Sequence, residues 1–319
     1  MFTLDIDQAG ATTQIWANLD IEAQWGGAKL KTHVLRRISA ASALLVALAP
    51  PGPVEIFAPV AVDPRRIKIS DLKMRVGAPQ RFDLAWADPS AKAVNDRRFA
   101  LSLRDELGVA LAGARVIESL DELDAHIETT GARRWVCKAP WTAAGRDRAH
   151  GVRKGGDHVY IARLLERCGA LVFEPWLERI VDLGVAASVV RDGTVQLHGI
   201  HTLRVDPRGM FVGIDLAAPQ LTDDESSRMM FVARSVARHL ALAGYVGPFT
   251  IDAFVYRDEH GERALHPISE INARYTFGHV ALGFAQRFGT QTLGFGAPPE
   301  GAQVLVEAGE HDPVTAWVA

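Results

Sequence analysis

Ser269-Glu270-Ile271-Asn272-Ala273-Arg274 closes a strand-like stretch from Arg263 to Asn272, and its reading decides how the rest of the chain is read. Glu270 and Asn272 stand two apart, so on a strand both point to one face, with Arg274 following. Upstream, Thr250-Ile251-Asp252-Ala253-Phe254 places a carboxylate inside an apolar strand. Burying unpaired carboxylates is costly or forces them to protonate, and a hard divalent cation with oxygen ligands removes the conflict. Mg²⁺ takes few carboxylates and shares substrate phosphates, which matches so small a set. The alternative for the same residues is a structural salt bridge from Asp252 or Glu270 to Arg274.

Two earlier segments carry related chemistry. Trp135-Val136-Cys137-Lys138 reads as a strand ending in lysine, followed by the small-residue, Arg-containing loop Ala139-Pro140-Trp141-Thr142-Ala143-Ala144-Gly145-Arg146-Asp147-Arg148. Small side chains let backbone N–H groups approach closely, and a lysine beside them suits a polyphosphate. A lysine snorkelling before an ordinary turn is the other reading. Phe173-Glu174-Pro175-Trp176-Leu177 ends a buried strand with an acid and continues as a proline-stiffened segment, which leaves backbone groups to read a purine edge or serves as a plain hinge.

Together and in this order, the three elements resemble the ATP-grasp superfamily from Asp96 to His279, the Glu270-Ile271-Asn272-Ala273-Arg274 run being the most specific. The resemblance implies that Asp252, Glu270 and Asn272 hold Mg²⁺, with Mn²⁺ as an alternative ion, and that Arg274 faces the transferred phosphoryl group. Lys138 matches a lysine that meets the nucleotide phosphates, and Gly145 and Arg146 match the loop that folds over them. Glu174, Trp176 and Leu177 match the adenine hinge, and Asp182, eight residues after Glu174, the group on the ribose hydroxyls. Arg97 stands where the family carries a phosphate-contacting lysine. His201 and Arg204 lie in a region that borders the acyl phosphate. Two departures stand out: Thr142-Ala143-Ala144-Gly145 is poorer in glycine than many such loops, and Gly278 precedes His279 where biotin-dependent carboxylases place Glu, which disfavours bicarbonate chemistry.

The implied fold is α/β: an N-terminal α/β domain over 1–93, a small ATP-grasp subdomain over 94–178 with the phosphate loop, and a large one over 179–319 with the metal ligands. ATP lies between the last two. The N-terminal region alternates the polar, strand-like stretch Gln14 to Asp20, a helix from Lys31 to Leu48 with Val34, Leu35, Ile38, Ala41, Leu45 and Leu48 on one face, and a strand from Val54. Residues 75–93 read as a linker, and Asn18, Asp20, Glu22 and Trp25 as candidates to face the cleft. Asn95 reads as a helix cap, Ser119/Glu122 and Thr222/Glu225 as capping boxes, and Asp206-Pro207-Arg208-Gly209 as a turn.

The 319 residues are 48% hydrophobic and 23% charged, which excludes fibrous and disordered classes. The 35 cations comprise seven Lys and 28 scattered Arg, so no nucleic-acid surface is expected. Met1-Phe2-Thr3-Leu4-Asp5 carries no basic-then-apolar signal, Ala40 to Pro50 is too short to span a bilayer, and two cysteines in apolar segments give no disulfide framework; a cytoplasmic monomer or homodimer away from membranes is expected. The resemblance implies an ADP-forming ligase joining a small carboxylate, such as an amino acid or peptide, to an amine or related nucleophile through an acyl phosphate. The alternatives are a non-catalytic ATP-binding regulatory protein and an ATP-grasp kinase acting on an alcohol.

Overall fold

Short alternating apolar segments pair into three sheets. The computed structural model describes residues 12–143, 145–206, 210–310 and 312–319; the N-terminal pentapeptide, Ala144 of the loop and residues 207–209 of the expected turn lie outside the described residues. The first sheet is parallel, with β1 (Thr13–Trp16), β2 (Val54–Ala58), β3 (Leu72–Val76) and β4 (Leu84–Ala85) in the order β3-β2-β1-β4. Parallel neighbours need a crossover, and β1 reaches β2 through α1 (Ile21–Trp25) and α2 (Thr32–Ser42). The helix expected to Leu48 is α-helical only to Ser42 and tightens to 3₁₀ geometry over Ala43–Leu48 before Pro50. Its Leu44, Leu45 and Val46 are buried, so this apolar run is core. The expected linker over 75–93 is instead part of the fold: β4 pairs with β1, and the Asn18 amide bridges the Ala87 N–H and C=O (3.1 and 2.8 Å), burying Trp86 and Ala87.

The helix α3 (Arg97–Glu106) is capped by Asp96, whose Oδ1 accepts the Arg98 N–H at 2.8 Å, rather than by Asn95. Asn95 has a longer-range task. Its amide oxygen accepts the Ala273 N–H (2.9 Å) and its amide N donates to the Ala273 carbonyl (3.2 Å), tying the start of α3 to the residue between Asn272 and Arg274. Ala100 and Leu103 of α3 pack with Leu183, Ile251 and Ile268.

The second sheet is antiparallel: β5 (Arg115–Ile117), β6 (Arg134–Lys138), β7 (Arg148–Val152), β8 (Gly155–Gly156) and β9 (Leu171–Pro175), ordered β5-β9-β6-β7-β8. Helices α4 (Leu120–Thr130) and α5 (His158–Cys168) supply Leu123, Ile127, Ile161 and Leu164 to its core around Trp135 and Phe173. Ser119 accepts the Glu122 N–H (3.1 Å), but the Glu122 carboxylate takes the Glu118 N–H, so the expected box is half formed.

The third sheet, antiparallel, holds β10 (Glu178–Val189), β11 (Val195–Val205), β12 (Phe211–Asp215), β13 (Gly247–Arg257), β14 (Arg263–Asn272), β15 (Thr292–Phe295), β16 (Gln303–Val306) and β17 (Ala316–Val318), ordered β14-β13-β10-β11-β12-β15-β17-β16. One face is covered by α6 (Asp223–Leu242), which begins in the complete Thr222/Glu225 capping box. Toward the other, α7 (Phe277–Phe288) joins Ile15, Leu45, Ile56, Leu293 and Val318 in one apolar cluster. Backbone bonds from Lys68 to Leu305 and from Glu307 to Arg66, both 2.9 Å, add to this junction. Among the described residues no helix is long and apolar enough to cross a membrane.

Candidate functional site

Register builds the centre of the site. His201 on β11 lies opposite Gly184 on β10, Gly184 opposite Asp252 on β13, and Asp252 opposite Glu270 on β14. Directly opposed residues of antiparallel strands project to the same face, so two carboxylates and an imidazole share one transverse row. Thr250 and Asn272 form the next row on that face. Burial raises the Asp252 pKa, and the neighbouring Glu270 charge raises it further.

Arginines cap this oxygen set. Arg97, buried at the start of α3, donates to Glu270 Oε1 (2.7 Å) and to the carbonyls of Ala139 (2.8 Å) and Thr142 (3.0 Å). Where the resemblance implies a phosphate contact, this guanidinium clamps the loop that follows β6, because a buried fork of five donors takes the acceptors around it. Arg274 donates to Asn272 Oδ1 (2.7 Å) and to Glu22 Oε1 (2.7 Å) on α1. Of the N-terminal candidates, Glu22 is therefore drawn into the site and Asn18 is structural. Glu22 Oε2 is buried with no hydrogen-bond partner among the described residues.

Lys138 ends β6 as expected, yet its ammonium is paired with Glu174 on β9. Glu174 also accepts from Arg104 Nη1 at 2.6 Å, and Arg104 is only 1% exposed. Burial alone would raise the Glu174 pKa, but the two cations hold it well below the usual carboxylate range. Arg104 was missed in the sequence. Its only signal is a cation beside Leu103 on the apolar side of α3.

The segment after β9 borders a cavity of ≈ 1060 Å³, lined by Trp176, Leu177, Arg179, Asp182, His150 and Leu203 among others. This is at the upper end of small-molecule sites. Asp182 is two residues from Gly184 on β10 and shares its face, so the cavity lining stops one pleat short of the carboxylate row; Asp252, Glu270 and Asn272 do not line it. Asp182 already accepts from Arg179 (2.6 Å), whose guanidinium stacks over Phe254 (4.2 Å) and Trp176 (5.4 Å). The Trp176 N–H, expected to be open to a purine, donates to the Arg134 carbonyl at 2.9 Å. Gly145 is exposed in the loop, and the partly buried Arg146 follows it.

His201 is buried, with both ring nitrogens unpartnered among the described residues and its pKa pushed down to about 4 by burial. Two glycines make its berth: a Cβ on Gly184 would lie 2.3 Å from Nε2, and one on Gly278 2.4 Å from Cε1. Arg204 departs from the expectation. Three residues beyond His201 on a strand of period two, it faces the other side of the sheet, exposed and 5.8 Å over the Trp317 ring.

No family model and no curated protein sequence matches the chain. Solved structures do. A biotin carboxylase from Campylobacter jejuni, as its β-γ-ATP complex, is similar with a TM-score of 0.59 at 10% identity, over 96% of this chain and 86% of that one. The biotin carboxylase domain dimer of the Hydrogenobacter thermophilus 2-oxoglutarate carboxylase, in complex with MgADP, ADP and bicarbonate, gives 0.55 at 10% identity, over 96% and 85%. A carboxyaminoimidazole ribonucleotide synthase from Aspergillus clavatus, complexed with ATP, gives 0.54 at 13% identity, over 97% and 93%. At such identities the likeness is one of architecture, and it joins the register-built row and the loop-and-hinge cavity in one conclusion: the chain has the ATP-grasp fold.

Proposed function

We propose that this protein is an ADP-forming ligase that activates a small carboxylate with ATP as an acyl phosphate and passes the acyl group to an amine or related nucleophile. The observation that carries the proposal is the row of Asp252 and Glu270, with Asn272 beside it, on the sheet face whose Asp182 lines the neighbouring ≈ 1060 Å³ cavity. Structures of the same fold with ATP or ADP bound support a nucleotide there.

The donor set fits a hard divalent cation. Two opposed carboxylates and an amide oxygen leave coordination positions for phosphates, and a cation relieves the repulsion that raises the Asp252 pKa. Among the described residues no group of three or more His, Cys, Asp and Glu side chains is placed to hold a metal ion by itself, so a zinc-type His/Cys cage is not what this set offers. Mg²⁺ or Mn²⁺ bound there would neutralise charge developing on the phosphates. The protein's own groups supply position and charge: Lys138 at the end of β6 presents an ammonium to the phosphates, Arg274 stands beside Asn272 to meet the transferred group, and Arg97 fixes the loop at Ala139 and Thr142. The route needs no protein nucleophile, since the substrate carboxylate attacks the terminal phosphorus and the incoming amine displaces phosphate from the acyl carbon.

Bicarbonate is disfavoured as the carboxylate. Position 278 has no room for a side chain beside His201, so an acid preceding His279 cannot be accommodated. One observation favours the second reading, nucleotide binding without turnover: Arg97 and Arg274 already hold Glu270 Oε1 and Asn272 Oδ1, two oxygens the cation requires.

The test is ADP release from MgATP over a panel of small carboxylates and amines, amino acids and peptides included, with mass detection of products. ADP formation that requires one carboxylate and yields an amide supports the ligase. Tight MgATP binding with no turnover across the panel transfers support to the regulatory alternative.

A further inference from the structure

A second cleft, ≈ 270 Å³, opens between the segment joining α1 to α2 and the phosphate loop. Lys29, Lys31, Arg146 and Arg167 line it, with Asp147 the one acid. Arg167 already neutralises Asp147 at 2.7 Å. Lys29 and Lys31 are exposed, and they and the Arg146 side chain make no hydrogen bond or ion pair among the described residues. Arg146 is partly buried; the Glu22 and Asp147 carboxylates act on it at longer range, and Arg37 adds a like charge. Four cations around one acid on a concave surface favour an anion.

The start of α2 points the same way. A helix N-terminus carries partial positive charge and prefers acids and Ser, Thr, Asp or Asn caps. Here the N-cap is Lys31, no side chain caps the first turn, and that turn holds no acid. The local sequence opposes helix stability at the point where an anion would satisfy both the lysines and the orphan N–H groups.

Size and place narrow the ligand. At roughly 30 Å³ per water the cleft holds about nine waters, enough for a phosphate and a few carbons but small for a nucleoside. Ala23, which lines the cleft, follows Glu22, whose carboxylate meets Arg274, so the cleft adjoins the Arg274 end of the site. With four lining cations against one acid, the cleft suits a dianion better than a single carboxylate.

We propose that this cleft binds the phosphate-monoester end of one of the two substrates, making that substrate a small phosphorylated carboxylate or amine. Its assignment as a substrate rests on the ligase reading, whereas the site itself does not.

The experiment is calorimetric titration of the full-length protein, in saturating MgADP, with O-phosphoethanolamine, ethanolamine and inorganic phosphate, and in parallel with ADP alone. The wild type should bind O-phosphoethanolamine at least tenfold more tightly than ethanolamine, with inorganic phosphate competing. The double variant Lys29→Glu/Lys31→Glu should lose that affinity at least tenfold, keep its ADP affinity within twofold, and melt no lower than wild type, because acids suit a helix start. Failure of the wild type to bind the phosphate ester, equal affinity for ethanolamine, or a double variant within twofold of wild type overturns the proposal. Phosphate-ester binding without any nucleotide affinity would uphold the cleft and remove the ligase.

Discussion

Replacing Glu174 by Gln probes how Lys138, the lysine proposed to meet the nucleotide phosphates, is held. Glu174 sits between Arg104 and Lys138 with side-chain exposures of 6%, 1% and 12%. The amide keeps the shape but leaves two largely buried cations facing a neutral group, and breaking a buried pair in this way costs about 3–5 kcal/mol. Lys138→Met should cost less, about 0–2 kcal/mol, because Arg104 still neutralises the carboxylate at 2.6 Å and one buried ammonium is gone. The Glu174 pKa is depressed, so its contribution is fully present at neutral pH and is lost in acid as pH falls below the ordinary 4.5. Urea unfolding at pH 7 and pH 4, with ADP titration of each folded variant, reads all of this. Glu174→Gln within about 1 kcal/mol of wild type, or Lys138→Met as damaging as Glu174→Gln, would refute the account of a carboxylate clamped by two cations. Lys138→Met should lose nucleotide affinity at least tenfold, whatever its stability.

Glu270→Gln should abolish magnesium-dependent nucleotide binding while lowering the Asp252 pKa, because one of the three causes that raise it, beside burial and the Asp182 charge, is removed; isothermal titration with and without Mg²⁺ and carboxyl NMR check both, and an unchanged magnesium dependence counts against the metal assignment. His201 has a folded pKa of about 4 against an ordinary 6.5, so its stability contribution is intact above about pH 6.5 and lost as pH falls toward 4. His201→Leu should flatten the stability profile in that window by roughly 3 kcal/mol at most, and an unchanged slope would show that the imidazole protonates freely in the fold. Gly278→Ala should destabilise by about 1–3 kcal/mol through the clash with His201, and the His201→Ala background should remove most of that cost; additive losses would mean that the two do not touch.

Short-range patterning carried much of this architecture. Strand period two was enough to place Glu270 and Asn272 on one face, and the Thr222/Glu225 box marked the start of α6. Partner choice across long separations was not legible, because nothing local to Glu22 announces Arg274, nor anything local to Asn95 the backbone of Ala273. The same holds for Arg104, whose partner Glu174 lies on another element and whose own segment reads as an ordinary amphipathic helix. The two-residue β4 was hidden by the prolines around it, since so short a parallel edge strand has no periodicity of its own. Arg204 shows the reverse error: a residue grouped with His201 by proximity in sequence, which strand alternation alone assigns to the opposite face.

The most direct measurement of the central claim is the fate of carboxylate oxygen. With the active carboxylate labelled with ¹⁸O and the reaction run with MgATP and amine, the account predicts ADP and one ¹⁸O atom in each released phosphate, read as an isotope shift in the ³¹P spectrum. Unlabelled phosphate during confirmed amide synthesis, or AMP and pyrophosphate as products, would contradict it.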